Sequence, residues 1–292
     1  MSHKADTIQQ RANNSNRSRV DKVMWALCYG GLLTIVVPIV WIIYQVVARA
    51  LPHISMSVFT TNTIGNGGGL RQAILGTLVL LIMVGTMAGV TGVGAGIYIS
   101  QFAPKRVGGI LRGAIEILAG VPSIVAGFVG YITLVIELHW SFSIWAASFV
   151  LAAIVVPYIA KTTEISLRGV PLAMRESGQA LGLPDSLVLR KILLKSASPG
   201  IVTGLILALA ISVGETAPLL YTAGWSTTNP TFSLSHSPVG YLTYPIWTFY
   251  DYPIKSASYL ALESAMILIM LVIGLIVVSH VLRRILSKHL PE

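Results

Sequence analysis

Six apolar stretches dominate the sequence: Val23–Val47, Gln72–Ser100, Ile110–Ile136, Phe142–Ala160, Pro199–Tyr221 and Ala261–Leu282. A helix needs roughly 20 such residues to cross a hydrocarbon core of about 30 Å. Lipid offers no partner to a backbone N–H or C=O, so a spanning segment of this kind must satisfy its own groups as a helix. The sequence therefore predicts an all-α integral membrane protein with six transmembrane helices. Composition agrees, since 54% of the 292 residues are apolar and only 11% are charged. A soluble domain carries about 25% charged residues, so a soluble enzyme, a disordered chain and a coiled coil are excluded. Cys28, the single cysteine, lies inside an apolar run and leaves no intramolecular disulfide and no thiolate metal cluster.

The first run ends at Ala48-Arg49-Ala50, which resembles a leader cleavage site. Its apolar stretch is far longer than the roughly 7–15 residues of a signal h-region, so an uncleaved span is expected. Pro38 removes one ladder bond there and is expected to kink it. Lys and Arg set the orientation, because cytoplasmic connections carry their excess. Seventeen of the twenty fall on one side: Lys4, Arg11, Arg17, Arg19 and Lys22 before the first span, Lys105, Arg106 and Arg112 between the second and third, Lys161, Arg168, Arg175, Arg190, Lys191 and Lys195 between the fourth and fifth, and Arg283, Arg284 and Lys288 at the end. Arg49, Arg71 and Lys255 fall on the other. Both termini are expected in the cytoplasm. The net charge of +9 then reflects membrane orientation, not affinity for nucleic acid.

Residues 1–22 are rich in Asn, Ser, Gln and Arg and read as a mobile cytoplasmic tail. Residues 23–71 form the first span and an outer loop, and 285–292 a short cytoplasmic tail. The run Gly65-Asn66-Gly67-Gly68-Gly69 suits a tight exposed turn. It lacks the Lys-Ser/Thr ending and preceding strand of a phosphate-cradling loop. Gly85/Gly89 and Gly92/Gly96 have the spacing that lets helix backbones approach closely in lipid. The third and fourth spans, parted by Glu137–Ser141, form an outer hairpin. The segment Thr222–Leu260 is long and aromatic, which fits an interfacial or re-entrant stretch and equally a docking surface for an external partner. The six histidines of the whole chain are scattered without metal-ligand spacing.

Residues 161–198 are too long for a turn between neighbouring helices. Pro171 suits the start of a short helix and Gly182 its end, with Val170, Ala173, Met174, Ser177, Ala180 and Leu181 on one face. A second short helix is expected after Pro184, capped by Asp185. Two amphipathic helices held between spans make a projection suited to a groove on another protein, or a loop lying along the headgroups.

Within this segment Glu176-Ser177-Gly178, Gly182 and Ile192 resemble the EAA loop of ABC importer permeases. Ser177 and Gly178 replace the two alanines. Lys195 stands where proline is usual, and Pro199 is expected to break the helix instead. Glu116-Ile-Leu-Ala-Gly-Val-Pro122-Ser123-Ile124-Val125 and Gly214-Glu215-Thr216-Ala217-Pro218-Leu219-Leu220-Tyr221 are similar to the PstA-type permease family of phosphate-specific ABC importers. The likeness covers roughly residues 72–284, as a type-1 permease domain. It implies a type I importer permease (MetI-like) fold in the plasma membrane. It also implies a PstC-like second permease, a PstB-like ATPase dimer holding ATP and Mg, and a PstS-like phosphate-binding protein outside. The chain itself would bind no cofactor and would be a conduit, not an enzyme. Arg175, Glu176, Gly178, Leu181 and Gly182 would then couple to the ATPase. Another oxyanion, a phosphonate, or secondary transport are the alternatives, the last leaving the basic 161–198 loop without a purpose.

An ionisable residue inside a span costs several kcal/mol to insert and marks function by default. Glu215 is such a residue, and Pro218 leaves the Gly214 carbonyl without its helical partner. Ser212, Glu215, Thr216 and Pro218 are the expected substrate path, with Glu215 as organiser of a span-to-span network the other reading. An ionised Glu215 would repel phosphate, so it must be protonated, paired or turned away. Relatives of the family place an arginine four residues earlier, where this chain has Ile211. Arg112 and Glu116, one turn apart, are expected to form an ion pair.

Overall fold

The apolar runs fold as helices, and a computed structural model describes residues 2–231, 233 and 235–288, with side chains from Val20 onward. The chain divides into two compact units, Met1–Pro52 and His53–Glu292. The first is one helix, α1 (Ser2–Ala50), with Pro38 in its interior. Its apolar residues from Val20 to Tyr44 are exposed almost throughout, as a lipid-facing helix requires. Residues 2–22, expected as a mobile tail, continue this helix, whereas Met1 lies outside the described residues.

The second unit begins with α2 (Met56–Thr60) and a small antiparallel hairpin, β1 (Thr63–Ile64) with β2 (Gly67–Gly68). The turn uses Gly65 at φ 58°, a left-handed conformation that a side chain would oppose. Five further helical elements follow: α3 (Arg71–Ile97), α4 (Lys105–Ala119), α5 (Ser123–Gly130), α6 (Ile144–Arg168) and α7 (Leu172–Ala180). The chain closes with α8 (Asp185–Val188), α9 (Leu194–Gly214), α10 (Ala217–Thr222), α11 (Thr243–Phe249) and α12 (Lys255–Ser287). Wider π turns extend α3 over Tyr98–Phe102 and α5 over Tyr131–Glu137, and join α8 to α9 over Leu189–Leu193. Among the described residues, five helices are long and apolar enough to cross a membrane, and a sixth crossing arises if the bent pair α4–α5 counts as one.

That bent pair corrects the third expected span. Ile110–Ile136 is two helices meeting at 94°. Gly120 caps α4 and Pro122, which has no N–H to donate, starts α5. The hairpin after it forms as expected, with Ser143 Oγ accepting from Ala146 N to cap α6.

Helices α3, α6 and α9 form the core around Val84, Ala88, Leu151, Val155, Ile159 and Ala208. The glycine spacing works within this chain. A side chain at Gly92 would meet Ile159 at 2.8 Å, and one at Gly96 would meet Thr163 at 2.5 Å. Gly85 and Gly89 face Leu209 and Leu205. The small residues thus seat α3 against two neighbours at once.

The connection after α6 is shorter than expected, because α6 runs on to Arg168. The fifth span is correspondingly longer. No separate second helix follows Pro184; Asp185–Gly214 is one continuous helical stretch of 30 residues. Pro199 lies inside it and does not break it. A proline orphans the carbonyl four residues earlier, and here Ser198 Oγ donates to that Lys195 carbonyl at 2.8 Å. Asp185 makes no cap; its Oδ1 instead accepts from Gln179 Nε2 at 3.2 Å. At the other end α12 continues to Ser287, past the expected boundary at Arg284, and residues 289–292 lie outside the described residues.

Candidate functional site

The fifth crossing breaks where Glu215 and Pro218 predict. Glu215 ends α9 with an extended backbone, φ −68° and ψ 130°, and Thr216 precedes α10. Pro218 stands in the first turn of α10, where its missing N–H costs nothing. Its Cα lies 2.6 Å from where a side chain on Gly127 would begin, so α5 and α10 approach with nothing between them. The Glu215 carbonyl, freed from the helix ladder, accepts from Thr243 Oγ1 at 3.2 Å.

Two cavities flank the break. Glu215 lines one of about 250 Å³, walled by Leu118, Val121 and Ser123 at the α4–α5 bend and by Ile154 and Tyr158 of α6. Thr216 lines the other, of about 490 Å³, with Thr243, Trp247, Tyr250 and Asp251. Glu215 and Thr216 are thus the two polar residues of the break that face open space. Ser212 and Pro218 of the expected path are both buried. The Ser212 hydroxyl donates to Leu209 O at 2.8 Å in its own helix, and Pro218 is a packing surface. Among the described residues, no Lys or Arg lines the Glu215 cavity, so a mostly apolar, cation-free wall, with Ser123 and Tyr158 as its polar members, faces that carboxylate.

Arg112 does not pair with Glu116. Its Nε donates to Glu164 Oε1 at 2.7 Å, and Arg168 Nη2 reaches the same oxygen at 2.8 Å. Glu116, well exposed, faces Lys161 Nζ at 3.5 Å. An exposed pair such as Glu116 with Lys161 contributes little, whereas the nearly buried Glu164 carboxylate needs compensation and draws Arg112 from α4 and Arg168 one turn along α6.

At the opposite end of the long helix, α7 packs closely through Gly178. A side chain on Gly178 would start 2.8 Å from Ile192 Cδ1 and 3.1 Å from Val188 Cγ2. Gly178 is the buried residue of α7, and Gly182 at φ 72° turns the chain back toward α8. Leu181 is 79% exposed and Leu172 66%, so apolar side chains of this projection stand open. Arg175 is half-buried and Glu176 exposed. The result is a short helix riding on the end of a long one with its apolar and charged residues available to a partner.

Three residues of these sites escape the sequence reading. Glu164 sits in the loop that the sequence places too early. Glu263 is buried in α12, inside the run Ala261–Leu282, and the rule that singles out Glu215 applies to it equally. Thr243 belongs to an aromatic connection that carries no pattern, so nothing local marks it.

Residues 92–290 match the family described as the inner membrane component of binding-protein-dependent transport systems. The chain is 51% identical over 266 residues to the phosphate transport system permease protein PstA 2 of Mycobacterium bovis, covering 91% of this chain and 88% of that relative. It is 34% identical over 226 residues to the phosphate transport system permease protein PstA of Yersinia pestis, covering 75% and 76%. Among solved structures, an inward facing conformation of the MetNI methionine ABC transporter superposes with a TM-score of 0.62 at 20% identity, covering 74% of this chain and 95% of that one. That likeness bears on the fold, and the expected MetI-like architecture agrees with it.

Proposed function

The chain belongs to the family of inner membrane components of binding-protein-dependent transport systems, and on that premise we propose that it is the PstA-type permease subunit of a phosphate importer. It is a multi-pass membrane protein and a transport subunit, not an enzyme. The observation that carries the substrate is the 51% identity to a phosphate transport system permease over nearly the whole chain.

The expected partners are a PstC-like permease, a PstB-like ATPase dimer that binds ATP and Mg, and a PstS-like phosphate-binding protein. Both termini and α7 lie on the cytoplasmic side of the plasma membrane in this reading, supported by the bias of Lys and Arg. The coupling set is Arg175, Glu176, Gly178, Leu181 and Gly182. Gly178 seats α7, while Leu181 and Glu176 face the ATPase.

The mechanism follows from the long helix. At 1.5 Å per residue, Asp185–Gly214 spans about 45 Å. A displacement imposed on α7 through the Gly178 contact is therefore delivered along a stiff rod to the break at Glu215. Closure of the ATPase dimer would shift the cavities on either side of that break between states with different affinity for the anion. Ser212, Glu215, Thr216 and Pro218 are the path this chain contributes, with Glu215 and Thr216 lining its two cavities. With Ile211 where the family has an arginine, the partner permease is the expected source of the cation that attracts phosphate.

Radiolabelled phosphate uptake by cells carrying or lacking the chain tests this. Uptake should require the chain and ATP hydrolysis, and a tagged chain should copurify with an ATPase and a second permease. Uptake that follows an ion gradient without ATP, or that phosphonate abolishes at equal concentration, overturns the assignment.

A further inference from the structure

Beside the helix break runs Val239–Thr243, a stretch of connecting chain whose residues are all buried. Buried backbone and hydroxyl groups need partners, and several here have them. Leu242 N donates to Thr77 Oγ1 at 3.0 Å, and Leu242 O accepts from Ser264 Oγ at 2.7 Å. Thr243 Oγ1 donates to the Glu215 carbonyl. The Tyr241 side chain differs. Its side chain is 1% exposed, and its hydroxyl has no hydrogen-bond partner among the described residues. Burial, and then the neighbouring Tyr244, push its phenol above the ordinary range, so the group keeps its proton and remains a donor.

Tyr241 lines a small, partly open cavity together with Thr77, Ser212 and Thr243, among walls that are otherwise apolar. About 10 Å³ is open to the centre of a water molecule, near the lower limit for a single one. The hydroxyls around it decide what fits. Each has one proton, and each has committed it: Ser212 to Leu209 O, Thr77 to Ala73 O, Thr243 to Glu215 O. Lone pairs remain on all three. A guest must therefore accept from Tyr241 and donate to its neighbours, which an anion or an apolar group cannot do.

We propose that this cavity holds one structural water that accepts from the Tyr241 hydroxyl and donates to the Ser212 and Thr243 oxygens. The water joins the connecting segment to α9 one turn before its break, and completes a polar lock that fixes where α9 ends.

Thermal unfolding of the purified complex tests this. Tyr241→Phe should lower the melting temperature by about 2–4 °C, the shift for losing one satisfied hydrogen bond in a chain of this size. An unchanged or higher value overturns the proposal, since removing a hydroxyl that nothing satisfies is neutral or favourable. Ser212→Ala should lose less in the Tyr241→Phe background than in the native one, and additive losses overturn it. If a variant fails to fold, a high-resolution map of the native complex decides. One peak within hydrogen-bond reach of Tyr241 Oη supports the water. No peak, or a peak that appears only with sodium present, overturns it.

Discussion

Arg112 Nε donates to Glu164 Oε1 at 2.7 Å across 52 positions of sequence, tying the bent third crossing to α6. Arg168 meets the same oxygen, so Glu164 is a single acceptor for two helices' cations. Replacing Glu164 by Gln removes the charge and leaves Arg112, which is part-buried, with a weaker partner. The expected cost is about 1–3 kcal/mol, read as a lower melting temperature of the purified complex. The swap Arg112→Glu with Glu164→Arg should recover part of it. A swap no better than the sum of its parts would show that the pair does not join α4 to α6.

Gly178 sets the second expectation. Gly178→Val places branched carbons against Ile192 and Val188, where one extra carbon already lies at 2.8 Å from the nearest atom. Overpacking of this kind costs about 1–3 kcal/mol and displaces what it touches. Phosphate uptake should fall at least tenfold while the spans remain folded, because α7 is displaced from the rod that it drives. Normal uptake would place the coupling elsewhere.

Leu181 separates docking from folding. It is exposed in this chain, so Leu181→Asp should leave the melting temperature of the isolated chain within about 1 °C, as surface changes generally do. The same substitution should abolish copurification of the ATPase. If the ATPase still binds, the outward apolar face of α7 is not its contact.

What sequence reading reached and missed follows one physical division. Apolar runs, the glycine spacing of α3 and the break at Glu215 are written in local chemistry: transfer to lipid, small side chains, and a proline without an N–H. Each of these was legible without knowing any neighbour. The partner of Arg112 was not, because the local candidate at i,i+4 competes with Glu164, which only the folding of α6 against α4 brings near. Pro199 misled for a similar reason. Its helix-breaking tendency is real, and the side chain of Ser198 offsets it by taking the orphaned Lys195 carbonyl. The 94° bend in the third run was announced by Gly120 and Pro122, yet hydropathy alone reads straight through it. Ser212, one turn before Glu215, donates its hydroxyl to Leu209 O in its own helix, a contact that residue type alone does not specify.

Glu215 itself gives the next test. Its cavity has a Ser and a Tyr but no cation among the described residues, so its charge state decides whether it meets or avoids an anion. Glu215→Gln keeps shape and hydrogen bonding while removing the negative charge. A loss of uptake of tenfold or more, with the complex still assembled, makes the carboxylate part of transport. Unchanged uptake reduces it to a link between spans.

Sidedness underlies all of these, and labelling settles it. Cys28 is the single native cysteine and is exposed on α1, so a Cys28→Ser background is required. Ser177 on α7 and Asn229 in the connection before α11 are both exposed. In that background, Asn229→Cys in intact spheroplasts should react with a membrane-impermeant maleimide, and Ser177→Cys should react only after permeabilisation. The reasoning is electrostatic: residues 161–198, from the end of α6 through α7 to the start of the long helix, hold six Lys and Arg, which resist translocation to the outside. An exposed α7 in intact spheroplasts would put the lever on the side where no ATP is available, and the long helix from Asp185 to Gly214 could not transmit work to the break at Glu215.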